Sequence, residues 1–223
     1  GNYLPIKEYP VFVLHFSVAV DRVDVNVHPT KREVRFDNRD IGLSSKIRHS
    51  GPRLNTFKLM GRFALGLENQ GAPYNLYDMA EDAALLIEHL GLETVSVLGA
   101  SMGGMIAQIL AAKYPEKVNT LGLIFTSNNQ PLLPPPFPKQ LLSLIGKPQS
   151  TDEDGIVNHS VKVFNLIGSP GYVNQLEVMQ TARKLYQRSY YPAGVLQQFL
   201  AILCTGSLLQ LSKQIQQPTL VVH

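Results

Sequence analysis

Between Val95 and Lys113 the chain runs from an apolar strand straight into a helix through Gly99-Ala100-Ser101-Met102-Gly103-Gly104. This stretch limits the fold more tightly than any other. Val95-Ser96-Val97-Leu98 is short, apolar and rich in β-branched residues, as a buried strand is. Ser101 to Lys113 has a helical pattern and ends near Pro115. A G-x-S-x-G sequence set between strand and helix is the pattern of a nucleophile elbow. On such a sharp turn the serine adopts unfavourable backbone angles, and strand and helix approach so closely that Gly99 and Gly103 are needed where a side chain would collide. The hydroxyl of Ser101 is then held out at the carboxyl end of the sheet. The N–H of Met102, at the start of the helix, can face a developing oxyanion. Ser101 is therefore the candidate nucleophile and the Met102 amide a candidate oxyanion donor. The bland alternative is a glycine-rich turn with no chemistry.

The flanking sequence repeats the same alternation. Leu76 to Leu90 places Met79, Ala83, Leu86 and Leu90 on one helical face, with Gly91 as a stop. Val118 to Thr126 reads as a second buried strand. Strand, helix, strand, helix and strand in this order predict an α/β fold with a parallel sheet. Residues 46–73 show no convincing period, and residues 127–150 read as loop, with four prolines within Pro134-Pro135-Pro136-Phe137-Pro138. From about Ile156 to Ile215 the pattern is helical, with breaks expected at Ser169-Pro170-Gly171 and Tyr191-Pro192-Ala193-Gly194. A helical insertion between two strands of such a sheet forms either a lid or an ordinary packing layer. Thr219 to His223 begins a further strand.

Composition adds exclusions. In 223 residues there is one cysteine, Cys204, so no intramolecular disulfide can staple the chain. No apolar run approaches the roughly 18 residues a membrane helix needs, and a soluble, cytoplasmic protein is expected. The net charge of +3 is too mild to argue for a nucleic-acid partner, but its placement is uneven. Residues 1–53 hold nine Lys or Arg against six Asp or Glu, and the remainder holds eleven of each. That same quarter reads as strands: Val11 and Val13 follow Pro10, and Val23, Val25 and Val27 alternate with polar residues before Pro29.

Residues 34–223 resemble the α/β-hydrolase family, in particular its esterase and methylesterase-like branch. The matching segments are Val34-Arg35-Phe36-Asp37-Asn38-Arg39-Asp40-Ile41-Gly42-Leu43-Ser44, Tyr77-Asp78-Met79-Ala80-Glu81-Asp82, the elbow, Tyr190-Tyr191-Pro192-Ala193-Gly194 and Pro218-Thr219-Leu220-Val221-Val222-His223. The resemblance implies a partial hydrolase sheet: core over 37–126, helical lid over 127–215, and the start of a late strand over 216–223. It also implies a small ester-like substrate and no cofactor or metal. In that family the triad runs serine, acid, histidine along the chain. Of the six histidines, His15, His28, His49 and His89 precede Ser101, His159 falls in the expected lid, and His223 ends the last strand. None matches the family's position, and neither do Asp152 and Asp154. The resemblance thus implies a nucleophile without its acid and histidine, and a chain inactive on its own.

The family strand that carries the second oxyanion donor should precede Val34. Pro10 to Phe16 echoes it only faintly, with Phe16 where close backbone approach calls for glycine. Instead, Val23-Asp24-Val25-Asn26-Val27-His28-Pro29-Thr30-Lys31-Arg32-Glu33-Val34-Arg35-Phe36 resembles a signature of the MutL family of mismatch-repair ATPases, and Tyr9 to Leu14 resembles the strand before it. In that family the lysine matching Lys31 reaches the ATP γ-phosphate. The nucleotide pocket it would serve has no counterpart in this sequence, so a solvated or turn-stabilising lysine is the plainer reading. The two resemblances meet at Val34-Arg35-Phe36, which makes the chain composite: a MutL-like β segment over 1–36 joined to a hydrolase body. Two other functions stay open: a mismatch-repair fragment with salt-sensitive DNA binding, and a non-catalytic remnant that associates through unpaired edges.

Overall fold

The computed structural model describes residues 11–14, 33–35, 37–48, 51, 54–133, 146, 148–167 and 174–222. Phe16, the alternating segment 23–27, Lys31, His15, His28, His49, His223 and the prolines of 134–138 lie outside the described residues. Five parallel strands form one sheet in the order β2-β1-β3-β4-β5. They are β1 (Val11–Leu14), β2 (Glu33–Arg35), β3 (Val95–Ala100), β4 (Val118–Ile124) and β5 (Thr219–Val222). The helices are α1 (Thr56–Ala64), α2 (Leu76–His89), α3 (Met102–Lys113), α4 (Glu153–Ile167), α5 (Gln175–Arg188), α6 (Pro192–Thr205) and α7 (Leu209–Ser212).

The expected α/β parallel architecture is what folds. The strand before Val34, for which the sequence offered only a faint echo, is also present. Val11–Leu14 lies between β2 and β3, with Val11 opposite both Glu33 and Ser96, and Leu14 opposite Gly99. The segment resembling the repair family thus supplies an inner strand of the sheet.

Because all neighbouring strands run parallel, their carboxyl ends share one edge. That edge carries the loop after β2, the turn after β3 and the exit of β4. Beneath it, β3 alternates buried Val95, Val97 and Gly99 with half-buried partners, the period of two that a strand imposes. The Ala-rich α3 buries Ile106, Ala107, Ile109, Leu110 and Ala111 almost completely, and packs against β3, β4 and α2. Its small side chains allow that close approach.

The start of α2 is fixed by a capping box. Asn75 Oδ1 accepts the N–H groups of Tyr77 and Asp78 at 2.7 and 3.2 Å, and Asp78 Oδ2 accepts the N–H of Asn75 at 2.7 Å. Two elements differ from expectation. α1 occupies part of the stretch without period. Its apolar face is short, with Leu59 buried and Met60 and Phe63 partly buried beside it. Pro192 was expected within a break, yet it opens α6. Proline suits a first helical position, where its missing N–H has no partner to lose.

The chain divides into two compact units. Residues 1–132 and 191–223 form the sheet-bearing unit, which includes α6 and α7. Residues 133–190 form the other, in which α4 and α5 pack together. Arg183 joins those two helices by donating to Glu153 at 2.8 Å and Asp154 at 2.7 Å. At one side of the sheet, β5 leaves Leu220, Val221 and Val222 exposed. Among the described residues, no helix is long and apolar enough to cross a membrane.

Candidate active site

Ser101 follows β3 directly and stands before the first residue of α3, with φ 52° and ψ −124°. A non-glycine residue in that region is strained and persists only where surrounding contacts hold it. The contacts are present. The Ser101 N–H donates to the Ile124 carbonyl at 3.0 Å, and the Ser101 carbonyl accepts the N–H groups of Gly104 at 3.0 Å and Met105 at 3.3 Å. Serine at a helix start usually caps the helix with its own hydroxyl. Here it makes no such bond and is exposed, which leaves Oγ available at the carboxyl edge of the sheet.

The glycines explain why the turn can be so tight. A Cβ on Gly99 would run into the carbonyl oxygen of Gly103, 2.7 Å from its carbon and 2.8 Å from Gly104 Cα. Gly103 is buried and contributes backbone to that approach. Sequence reasoning passed over Gly104, where a Cβ would stand 2.5 Å from Cβ and Cγ2 of Thr126. The Gly-Gly pair after Met102 was the available signal. The N–H of Met102 lies at the positive end of α3, where partial charges on unpaired amides favour an anion.

The loop after β2 borders the same edge and is tied down from three sides. Asp40 is fully buried with φ 69°. Its Oδ1 accepts the Ile47 N–H and its Oδ2 the Tyr74 hydroxyl, both at 2.6 Å. Burial, then the bond to Asp40, hold the Tyr74 hydroxyl proton far above its ordinary range. Arg39 donates to both oxygens of Asp82 on α2, at 2.6 and 2.9 Å, and its guanidinium lies 5.7 Å from the Tyr74 ring centre. The bond to Asp82 raises the Arg39 pKa further. Gln197 and Gln198 of α6 donate to the carbonyls of Ile47 and Arg39, each at 2.9 Å. This network gives the Arg39-Asp40 pair a structural role that its sequence did not disclose. Asn38, almost wholly buried, has neither side-chain atom in a hydrogen bond.

The Ser101 hydroxyl has no hydrogen bond to a histidine or carboxylate among the described residues. His89 ends α2, six residues before β3 begins, and so lies toward the amino end of the strand whose carboxyl end carries Ser101. His159 belongs to the helical unit. No cluster of three or more metal-ligating side chains occurs among the described residues.

The profile of the family described as "alpha/beta hydrolase fold" matches residues 30–223. This chain belongs to the α/β-hydrolase fold family. A second profile, "DNA mismatch repair protein, C-terminal domain", matches residues 1–48, so the two matches overlap around Val34-Arg35-Phe36 and the chain is composite. Among solved hydrolases, the enol-lactonase from Burkholderia xenovorans superposes with a TM-score of 0.60 at 18% identity, covering 96% of this chain and 72% of that one. A thermophilic esterase from Thermogutta terrifontis gives 0.53 at 21%, covering 96% and 70%. At such identities the likeness shows the α/β-hydrolase fold alone. The front end is 58% identical over 36 residues to the mismatch repair protein MutL of Mannheimia succiniciproducens, 16% of this chain and 6% of that protein. The chain therefore spans only a small part of that curated relative.

Proposed function

We propose that the hydrolase body is the core of a serine acyl hydrolase for small esters or lactones, with Ser101 as its nucleophile. One observation carries the reading: a strained, exposed, uncapped serine at the carboxyl edge of a parallel sheet, directly before a helix N-terminus. The Ser101 side chain is exposed rather than packed in the core; presenting a hydroxyl beside backbone donors accounts for the strain. The neighbours described as esterase and lactonase support the substrate class.

In the reaction, Ser101 Oγ attacks the ester carbonyl carbon and its proton passes to a base. The Met102 N–H donates to the oxygen as negative charge develops there. The alcohol then leaves with a proton, and water releases the acyl group from Ser101. No cofactor is required.

The base is the weak point of this chain. An imidazole must stand within hydrogen-bond reach of Oγ, and no described histidine does. We infer that the 223-residue chain does not turn over unaided. In plain buffer it should hydrolyse a small p-nitrophenyl ester no faster than S101A, with no burst of p-nitrophenol. Serine-dependent turnover or a stoichiometric burst would show that a residue outside those described supplies the base.

A further inference from the structure

The residues that follow β4 leave the sheet beside the elbow and hold it through the peptide joining Ser101 to Met102. Besides the two helix N–H groups already named, the Ser101 carbonyl accepts the Thr126 hydroxyl at 2.6 Å. Phe125, between Ile124 and Thr126, takes φ 34° and donates its N–H to Val222 at 2.8 Å. Phenylalanine seldom enters that left-handed region. The turn it makes brings the Thr126 side chain to the one place that glycine at 104 leaves open. Gln108 closes the arrangement, its amide donating to Gly104 at 3.1 Å and Ser127 at 2.9 Å.

A trans peptide is planar, so its carbonyl and N–H point in opposite directions. Donors that fix the Ser101 carbonyl therefore fix the direction of the Met102 N–H. They also polarise it, because hydrogen bonds accepted at one end of a peptide strengthen donation at the other. Two of the three donors come from α3 itself. Thr126 is the one supplied from outside the helix, and its bond is the shortest.

We propose that Thr126 is a positioning residue for the oxyanion donor: its hydroxyl orients and polarises the Ser101–Met102 peptide so that the Met102 N–H meets the charge forming on a substrate oxygen. The inference rests on the reading of Ser101 as nucleophile and names the residue that sets that site's geometry.

The test compares isotope-labelled wild type, T126V and T126S by NMR. T126V keeps the shape and loses the hydroxyl; T126S keeps the hydroxyl. In T126V the Ser101 carbonyl carbon and the Met102 nitrogen should move upfield, with changes confined to the elbow, and T126S should restore both. Unmoved resonances in T126V, or the same displacement in T126S, would overturn the proposal. If T126V does not fold, T126A relieves any crowding against Gly104 and carries the same expectation. Imidazole-supported ester turnover gives the functional counterpart: kcat should fall between about twofold and tenfold in T126V, the worth of one neutral hydrogen bond, with KM held and T126S recovering. Absence of serine-dependent turnover in all variants would count against the nucleophile reading, while the peptide resonances would still decide the role of Thr126.

Discussion

Tyr74 shows how one hydroxyl can tie down a loop. It donates to Asp40 Oδ2, while Asp40 Oδ1 accepts the Ile47 N–H within the loop after β2. Tyr74→Phe leaves a buried carboxylate oxygen without its donor, which should cost about 1.5–3 kcal/mol of stability, read by urea unfolding. The same pair predicts a pH dependence. Folded Tyr74 keeps its proton above the ordinary tyrosine value of 10.0, whereas the unfolded chain releases it there. The unfolded state then binds fewer protons, so stability falls as pH rises past about 10. Tyr74→Phe should flatten that part of the alkaline decline.

Ser101 and Met102 were legible because the G-x-S-x-G spacing states the turn's steric needs locally. The bonds from Tyr74 to Asp40 and from Thr126 to Ser101 were not. They join residues 34 and 25 positions apart, and no period in the sequence links a tyrosine or threonine to a particular distant acceptor.

At the scale of elements, α2, β3, α3 and β4 lay within a residue or two of their expected bounds. The strand β1 was harder to place. Parallel pairing is non-local, and the four residues Val11–Leu14 look the same whether they lie inside a sheet or at its edge. Their position between β2 and β3 makes a direct prediction. Val13 pairs with Arg35 on one side and Leu98 on the other, so Val13→Pro removes a ladder donor and forces an inner strand to accept a residue it excludes. The expected result is a clear loss of stability, measured as a lowered midpoint of thermal or urea unfolding. An unchanged midpoint would mean that the repair-like segment is not part of the sheet. α1 was harder to see for a different reason: its apolar face, Leu59 with Met60 and Phe63, spans only nine residues between stretches without a period.

For the whole molecule, two sequence origins share one sheet. The mismatch-repair match covers residues 1–48 and the hydrolase match 30–223, and β1, from the first alone, lies between β2, in the overlap of the two, and β3, from the second alone. On the proposed reading, the hydrolase body presents three parts of a serine-hydrolase site: the strained turn, the exposed hydroxyl and the amide at the helix start. The central claim is that this part is chemically competent when a base is supplied. The most direct measurement is ester hydrolysis by wild type and S101A in rising concentrations of imidazole, with the imidazole-only rate subtracted. The account predicts a serine-dependent rate that is absent without imidazole and grows with it. Equal rates for the two proteins at every imidazole concentration would contradict it.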